Sequence, residues 1–322
     1  MSVGQGYKLY ASLREEATYN VDPGGARDGY IRLISDNMTC EENVKDLPGQ
    51  GGRYVRGVYE GNRIAGGTIT PESNFEGGLL YLFKHCCGGY VFGVDGGGEV
   101  GAHLHTFTPA DALPVGLSME VSKGDVDPGE VFLYTGSKVD SLAMSWTAEE
   151  LMGLVATMMS ADETAGTTEI GSPSYPLDAP IKYNFAGTVT LLGDAVAAHR
   201  GGSMTINNAL ERRFNMSRIT KEPLPGAKRG VEMTIETEFE DLTHYTKYKN
   251  ATAGSFALAF TSSVNIPTTA TPYSLTIVGS TTRLTGSTPV VTSEGVVLVT
   301  YGLKLYGSSE FSISIVNGQT TL

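Results

Sequence analysis

Apolar and polar residues alternate along several segments of the chain, the pattern of a β-strand with one face in a core. In one segment Val231, Met233 and Ile235 fall on one side. The other side carries Glu232, Thr234, Glu236 and Glu238. Residues 296–306 alternate in the same way. The alternation predicts a mainly β chain, with short helices where the spacing changes.

Two short segments have the spacing of a helix that packs on one side. The first runs from Leu79 to His85, with Asn74 as a candidate N-cap. Its apolar face would comprise Phe75, Leu79, Leu82, Phe83 and Cys86. The second runs from Asp241 to Tyr248. We therefore expect an α+β fold, mainly β with a few helices, in which each half has one helix packed on its sheet.

The two helices belong to an internal repeat. The matched segments are Ile34–Met38 with Ile206–Leu210, Leu47-Pro48-Gly49 with Leu224-Pro225-Gly226, Ile69–Glu72 with Ile235–Glu238, Gly136-Ser137 with Gly279-Ser280, and Thr147–Leu151 with Thr292–Val296. Their order is the same in both halves. The repeat also predicts a strand over residues 149–159, although their composition favours a helix.

The repeat divides the chain into two predicted domains. The first covers residues 1–165 and includes an N-terminal arm over residues 1–27. Residues 166–180 lie in a stretch rich in Thr, Gly, Ser and Pro without apolar periodicity, which is typical of a linker. The second domain covers residues 181–322.

Charge and composition limit the classes of function. The net charge is −12, and residues 1–170 hold 11 Lys and Arg against 24 Asp and Glu, whereas residues 171–322 hold 12 against 11. This balance disfavours a protein that clamps nucleic acid, but it is compatible with nucleic acid that slides past. No run of eighteen apolar residues and no signal-peptide pattern occurs, so we expect a soluble chain with no membrane partner. Three cysteines, two of them adjacent, predict no disulfide framework.

Candidate chemistry is sparse. His103 and His105 could form half of a metal site with His85 or Cys87, or simply a polar strand edge. Three strand carboxylates, at Glu232, Glu236 and Glu238, could offer an acid/base pair for glycoside hydrolysis, although neighbours on one exposed strand seldom form a cleft. The glycine run from Gly96 to Gly101 lacks the Lys-Ser/Thr of a nucleotide loop and is interpreted as a hairpin turn. We predict no enzyme, no cofactor and no metal.

The order of elements resembles the tail tube domain of siphophages, the bacteriophages with long non-contractile tails. The segments most similar to that family are Asp22-Pro23-Gly24, Ile64–Gly89, His105–Pro109 with Leu113-Pro114, and Arg229–Tyr248. The resemblance implies two tandem β-sandwich or barrel domains in a major tail tube subunit. Three such chains would supply the six domains of a ring, and stacked rings would form the hollow tube through which the genome is ejected.

The resemblance also implies partners and a place of action. The partners would be other copies of the chain, the tape measure, terminator and distal tail proteins, and transiting DNA bound without sequence specificity. The protein would lie in the virion tail and be assembled in the cytoplasm of the bacterial host.

Two groups of residues become candidate functional sites under this resemblance. The candidate lumen-facing residues are Glu232, Thr234, Glu236 and Glu238 in the second half and Thr68, Thr70 and Glu72 in the first. They could equally form an outer polar face without a role in transport. The loops around Leu47-Pro48-Gly49 and Leu224-Pro225-Gly226 are candidates for contacts between rings, or else ordinary surface loops.

Two other functions stay open from the sequence. One is a tube-end or baseplate hub component, which would form a single ring and would not polymerise. The other is a carbohydrate-binding β-sandwich module, which would show an exposed aromatic platform and remain monomeric. The 16 tyrosines are compatible with this second function, although Tyr245 and Tyr248 fall on a predicted helix and not on a sheet.

Overall fold

The computed structural model describes residues 9–47, 54–94, 99–123, 130–148, 150–168, 175, 181, 187–286, 289, 295–307, 310–320 and 322. Within these residues the chain is mainly β and contains two helices. The mainly β fold with a few helices is therefore confirmed. The strands predicted over residues 149–159 and 296–306 are also present, as β11 and β21 of the numbering below.

The first half of the described chain forms twelve strands around one helix. The strands are β1 (Tyr10–Glu15), β2 (Gly29–Asp36), β3 (Thr39–Glu42), β4 (Lys45–Asp46), β5 (Val58–Tyr59), β6 (Arg63–Pro71), β7 (Gly88–Val94), β8 (His103–Pro109), β9 (Leu117–Ser122), β10 (Glu130–Thr147), β11 (Gly153–Ser160) and β12 (Asp162–Thr168). The helix α1 (Leu79–Cys87) follows β6 and packs on β10 and β2. Six antiparallel strands close a barrel in the order β1, β2, β6, β11, β10, β9 and back to β1.

The second half forms ten described strands and a shorter helix, which has no buried residue. The strands are β13 (Thr188–Leu191), β14 (Asp194–Val196), β15 (His199–Asn207), β16 (Leu210–Arg213), β17 (Lys221–Pro225), β18 (Gly230–Glu238), β19 (Gly254–Asn265), β20 (Pro272–Gly286), β21 (Leu298–Leu305) and β22 (Ser312–Asn317). The helix α2 (Thr243–Lys249) follows β18. The pairing order β13, β19, β20, β21, β18, β15 has the same form as the order β1, β9, β10, β11, β6, β2 of the first half.

The strand registers of the two halves also match. Ser35 pairs with Thr70 across β2 and β6, and Gly201 pairs with Glu236 across β15 and β18. Each residue of the second pair follows its counterpart in the first pair by 166 residues. The same difference relates β3 to the end of β15. In each of these two strand pairs a β-bulge lies directly before the matched residues. β10 and β20 are likewise bulged at matching positions, against β11 and β21.

The halves join edge to edge and share one core. β10 pairs with β15, and the β7–β8 hairpin of the first half adds to β22 of the second. Aromatic rings meet across the junction, with centroids 5.9 Å apart for Trp146 and Phe260 and 5.8 Å for Phe75 and Tyr273. The apolar positions along both sets of strands are buried in one continuous cluster.

Several local predictions were wrong. The first helix begins at Leu79 after the N-cap Gly78, so Asn74 is not the cap, because a turn separates it from the helix. Within the predicted N-terminal arm, Tyr10–Glu15 is a barrel strand that pairs on both sides. The predicted linker begins inside β12, which extends to Thr168 and pairs with β10. Most of the remaining linker lies outside the described residues.

Two of the matched segments are not equivalent in the structure. The register aligns Ile206 with Cys40 and not with Ile34. Leu47 follows β4 on the first strand of its hairpin, whereas Leu224 lies in β17 on the second strand. The shared Leu-Pro-Gly letters therefore do not mark one position of the repeat.

Candidate functional surfaces

The junction of the halves produces one continuous antiparallel sheet. Its eight strands are ordered β2, β6, β11, β10, β15, β18, β21 and β20. One side of this sheet packs on the core. We call the other side the polar sheet face.

Small hydroxylated residues line the polar sheet face. Neighbouring strands are linked by side-chain hydrogen bonds at 2.8–2.9 Å, in the pairs Ser35–Thr70, Ser141–Thr157 and Ser203–Thr234. Each pair satisfies hydroxyl groups that would otherwise need water or a ligand. The centre of the face therefore carries small hydroxyl side chains, with the exposed Val155 of β11 among them.

The residues predicted to line a channel all lie on the polar sheet face. In β18 the apolar Val231, Met233 and Ile235 are buried, as the alternation predicts. Glu232 is exposed on the opposite side, and Thr234, Glu236 and Glu238 are half-buried there. Thr68 pairs with Thr157, which pairs with Ser141, so the polar side of β6, with Thr68, Thr70 and Glu72, faces the same way.

The charges on this face are mixed. Arg200 Nε donates to Glu238 Oε1 at 2.8 Å, and Arg32 lies 3.7 Å from Glu72. Glu232 and Glu236 form no ion pair with any described residue. Lys304 and Arg283, paired on β21 and β20, add two cations at the far edge of the sheet. Among the predicted lumen carboxylates, Glu238 and Glu72 therefore have cationic partners, whereas Glu232 and Glu236 have none among the described residues.

A second surface is formed by two β-hairpins, one inserted before β6 and one before β18. Hairpin 1 contains β4 and β5, and hairpin 2 contains β16 and β17. Of the residues predicted to join rings, Leu47 and Leu224 are exposed, and Pro225 and Gly226 end hairpin 2. Pro48 and Gly49 lie outside the described residues.

Hairpin 2 is seated on the end of the first half. The Arg212 guanidinium donates to the carbonyl oxygens of Ser160, at 2.9 Å, and of Ala65. The Arg63 amide donates to the Arg218 carbonyl at 2.8 Å. The Arg218 guanidinium also pairs with Glu60 at 2.6 Å. These contacts fix hairpin 2 against a surface of its own chain.

Hairpin 1, in contrast, presents apolar side chains to solvent. Its exposed residues are Val44, Leu47, Tyr54, Val55, Val58 and Tyr59. The tip of hairpin 2 adds exposed Phe214 and Met216. Clusters of exposed large apolar residues are typical of surfaces that another protein covers.

The candidate metal ligands do not come together. Both ring nitrogens of His105 are engaged by protein, with Tyr90 Oη at 2.9 Å, Asn317 Oδ1 at 3.0 Å and the Gln319 carbonyl at 2.9 Å. His85 contacts Glu15 at 2.9 Å instead. Among the residues that the structure describes, no group of three or more His, Cys, Asp or Glu is placed to hold a metal ion.

The histidines are instead parts of the fold. Burial lowers the pKa of His105, although hydrogen bonds to the Gln319 carbonyl and Asn317 act in the opposite direction. Around Glu15, burial alone would raise the carboxyl pKa, but hydrogen bonds from His85 and Lys84 lower it to about 2. Cys86 and Cys87 are buried free thiols, and the hydrogen bond with Cys87, followed by burial, raises the pKa of Cys86. These groups stabilise the fold, and His85, His105, Cys86 and Cys87 are buried.

The model of a family described as phage tail tube protein matches residues 6–304. No curated protein matches the chain. Neither helix of the described part is long and apolar enough to cross a membrane.

Proposed function

The chain belongs to the phage tail tube protein family, a structural component of the virion tail, and we propose that it is the major tail tube subunit of a siphophage. Copies of the chain form rings, and the stacked rings form the hollow tube through which DNA is ejected. The polar sheet face carries the proposal, because a continuous sheet of eight strands with one polar side is suited to lining a channel.

The repeated strand order supports a ring of three chains. The two halves have matching pairing orders and matching β-bulges. Each half then acts as one of six similar units, the first tube domain ending with β12 at Thr168 and the second covering residues 181–322. A ring of three copies closes without free sheet edges, which would otherwise pair with foreign strands.

The polar sheet face lines the lumen in this proposal. DNA carries a phosphate charge at every nucleotide, so a channel rich in Lys and Arg would retain it. Ser and Thr hydroxyls with the carboxylates of Glu232 and Glu236 offer no such binding. The candidates Thr68, Thr70, Glu72, Thr234 and Glu238 lie on the same face.

The two hairpins make the contacts between stacked rings. Leu47 and Leu224, with their neighbouring Pro and Gly, and the exposed Phe214 and Met216 supply apolar area for such contacts. The tape measure, terminator and distal tail proteins are the other partners, and assembly takes place in the cytoplasm of the bacterial host. The role needs neither catalysis nor a cofactor.

Negative-stain electron microscopy of the purified protein across a concentration series tests the proposal. We expect long hollow tubes of uniform width. Discrete single rings at every concentration would favour a tube-end or baseplate hub component. Monomers that bind glycans would favour a carbohydrate-binding module, for which the aromatic pair Tyr245 and Tyr248, half-buried on α2, is a poor platform.

A further inference from the structure

The interface between the two halves has two parts. First, β10 pairs with β15, with Ser141 opposite Asn207, and the Asn208 amide donates to the Asp140 carbonyl at 2.7 Å. Second, hairpin 2 covers the end of the first half through Arg212 and its neighbours. The first half therefore provides the edge of β10 and the surface at its own end, and β15 and hairpin 2 of the second half pack against them.

Each strand of this interface has a counterpart in the repeat with one edge that is unpaired among the described residues. The 166-residue difference makes β3 the counterpart of the end of β15, with Glu41 at the position of Asn207. The matching bulges make Gly286, at the end of β20, the counterpart of Ser141. Within the described chain β3 pairs only with β6, and β20 from Arg283 to Gly286 pairs only with β21.

The hairpins differ in the same way. Leu210, two residues after Asn208, is 5% exposed in hairpin 2, whereas Val44, two residues after Glu42, is 52% exposed in hairpin 1. Thr220 is 3% exposed, whereas Tyr54, which precedes it by 166 residues, is 73% exposed. Hairpin 1 thus exposes Val44 and Tyr54 at the positions that hairpin 2 buries, and nothing in the described chain covers them.

The surface that would receive hairpin 1 is also open. Hairpin 2 rests on the first half at Arg63 and Ser160. The matching strand registers of the two halves place Arg229 and Leu305 at the equivalent positions of the second half. Both line a cavity of about 620 Å³. Lys228 and Lys304 in the same wall carry the charge opposite to that of the exposed Glu41 at the end of β3, next to hairpin 1.

We propose that the interface between the halves recurs between copies of the chain. β3 and hairpin 1 of one copy pack against the end of β20 and the cavity at Arg229 of the next copy, with Gly286 opposite Glu41. This inference rests on the proposed self-assembly and specifies how neighbouring copies contact one another. Because the two surfaces differ, the contact is heterologous, and repeated rotation closes a ring.

Cysteine cross-linking tests the register in the full chain. All variants carry Cys40→Ala, because Cys40 neighbours Glu41 and the other two thiols are buried. We expect Glu41→Cys with Gly286→Cys to give disulfide-linked oligomers on a non-reducing gel, since directly opposed residues approach closely enough to bond. The control combines Glu41→Cys with Thr300→Cys, an exposed position on β21, a strand paired on both sides, and should stay unlinked.

The outcomes separate this interface from the proposed function. Tubes in which the Glu41→Cys and Gly286→Cys pair links no better than the control would overturn the interface and leave the tube function standing. Specific linkage without tubes or rings would support the interface and contradict the tube function. Linkage in assembled tubes supports both.

A substitution in hairpin 1 provides a second test that does not depend on disulfide geometry. Tyr54→Asp affects a side chain that is 73% exposed, so the isolated chain should fold normally by circular dichroism. We expect the concentration needed for assembly to rise about tenfold or more, as for a loss of about 1.4 kcal/mol per contact. Val100→Asp, at a 94% exposed position outside the hairpin, is the control. Equal assembly of the two variants would contradict the seating of hairpin 1.

Discussion

The indole Nε1 of Trp146 donates a hydrogen bond to Nε2 of His199, at 3.1 Å, across the junction of the two halves. His199 Nδ1 donates in turn to the Glu236 carbonyl at 3.1 Å. Because Nε2 accepts, the imidazole must be neutral. Burial lowers the pKa of His199 from 6.5 to about 4, against the opposing effect of the Glu236 carbonyl.

This pair predicts how stability depends on pH. The unfolded chain binds a proton at His199 near pH 6.5, whereas the folded chain does so only near pH 4, so folding free energy is lost as pH falls through this range. Urea unfolding followed by the fluorescence of Trp146, the single tryptophan, should show the loss. His199→Gln should reduce the pH dependence between 6.5 and 4. An unchanged slope would contradict the assignment.

The Glu15 carboxylate predicts a second, more acidic dependence. Its pKa in the folded chain is about 2, so its contribution is complete above pH 4.5 and is lost as pH falls through 2. Glu15→Gln should destabilise the chain by about 1–2 kcal/mol at pH 7, because hydrogen bonds to a partly exposed charge are weaker than buried ones. Urea unfolding at pH 7 measures the change. The exposed Glu150→Gln should have little effect, and equal losses in the two variants would contradict the prediction.

Gly202 predicts a steric effect at the same junction. A Cβ at this position would lie 2.3 Å from the Thr234 carbonyl oxygen and 2.8 Å from the Trp146 ring. Gly202→Ala should therefore cost about 1–3 kcal/mol of stability, as for overpacking elsewhere. Gly230→Ala is the matched control, because the nearest atom to its Cβ is 4.0 Å away. A similar loss in both variants by urea unfolding would contradict this account of the junction.

The polar sheet face predicts how the tube treats DNA. Glu232→Lys with Glu236→Lys should leave the fold intact, since neither carboxylate is buried. Tubes of this variant should retain short duplex DNA at low salt and release it as salt rises, because only clustered cations displace counterions from DNA. Co-sedimentation measures the retention. Equal retention by wild-type and variant tubes would place these residues outside the lumen.

Much of the fold was predictable because the alternation of buried and exposed side chains can be read within the sequence of each strand. The alternation in β18 identified its buried side, and the apolar spacing of α1 identified a buried helix. The strand at β11 was predictable only through its counterpart β21, since its own composition favours a helix. Pairing with β6 and β10 overrides that preference.

The remaining features depend on contacts distant in sequence. Nothing local to Tyr10–Glu15 indicates that β1 completes a barrel with β9. The continuity of β10 with β15, which unites the candidate lumen residues on one face, requires the register of both halves. The Leu-Pro-Gly match shows the converse, because identical letters can fall on different strands of a hairpin.

Cryo-electron microscopy of the assembled tube tests the central claim most directly. We predict three chains per ring, with Thr68 of β6 and Thr234 and Glu236 of β18 facing an open channel. A map in which this sheet face is turned to the outside, or in which copies assemble without a channel, would contradict the account.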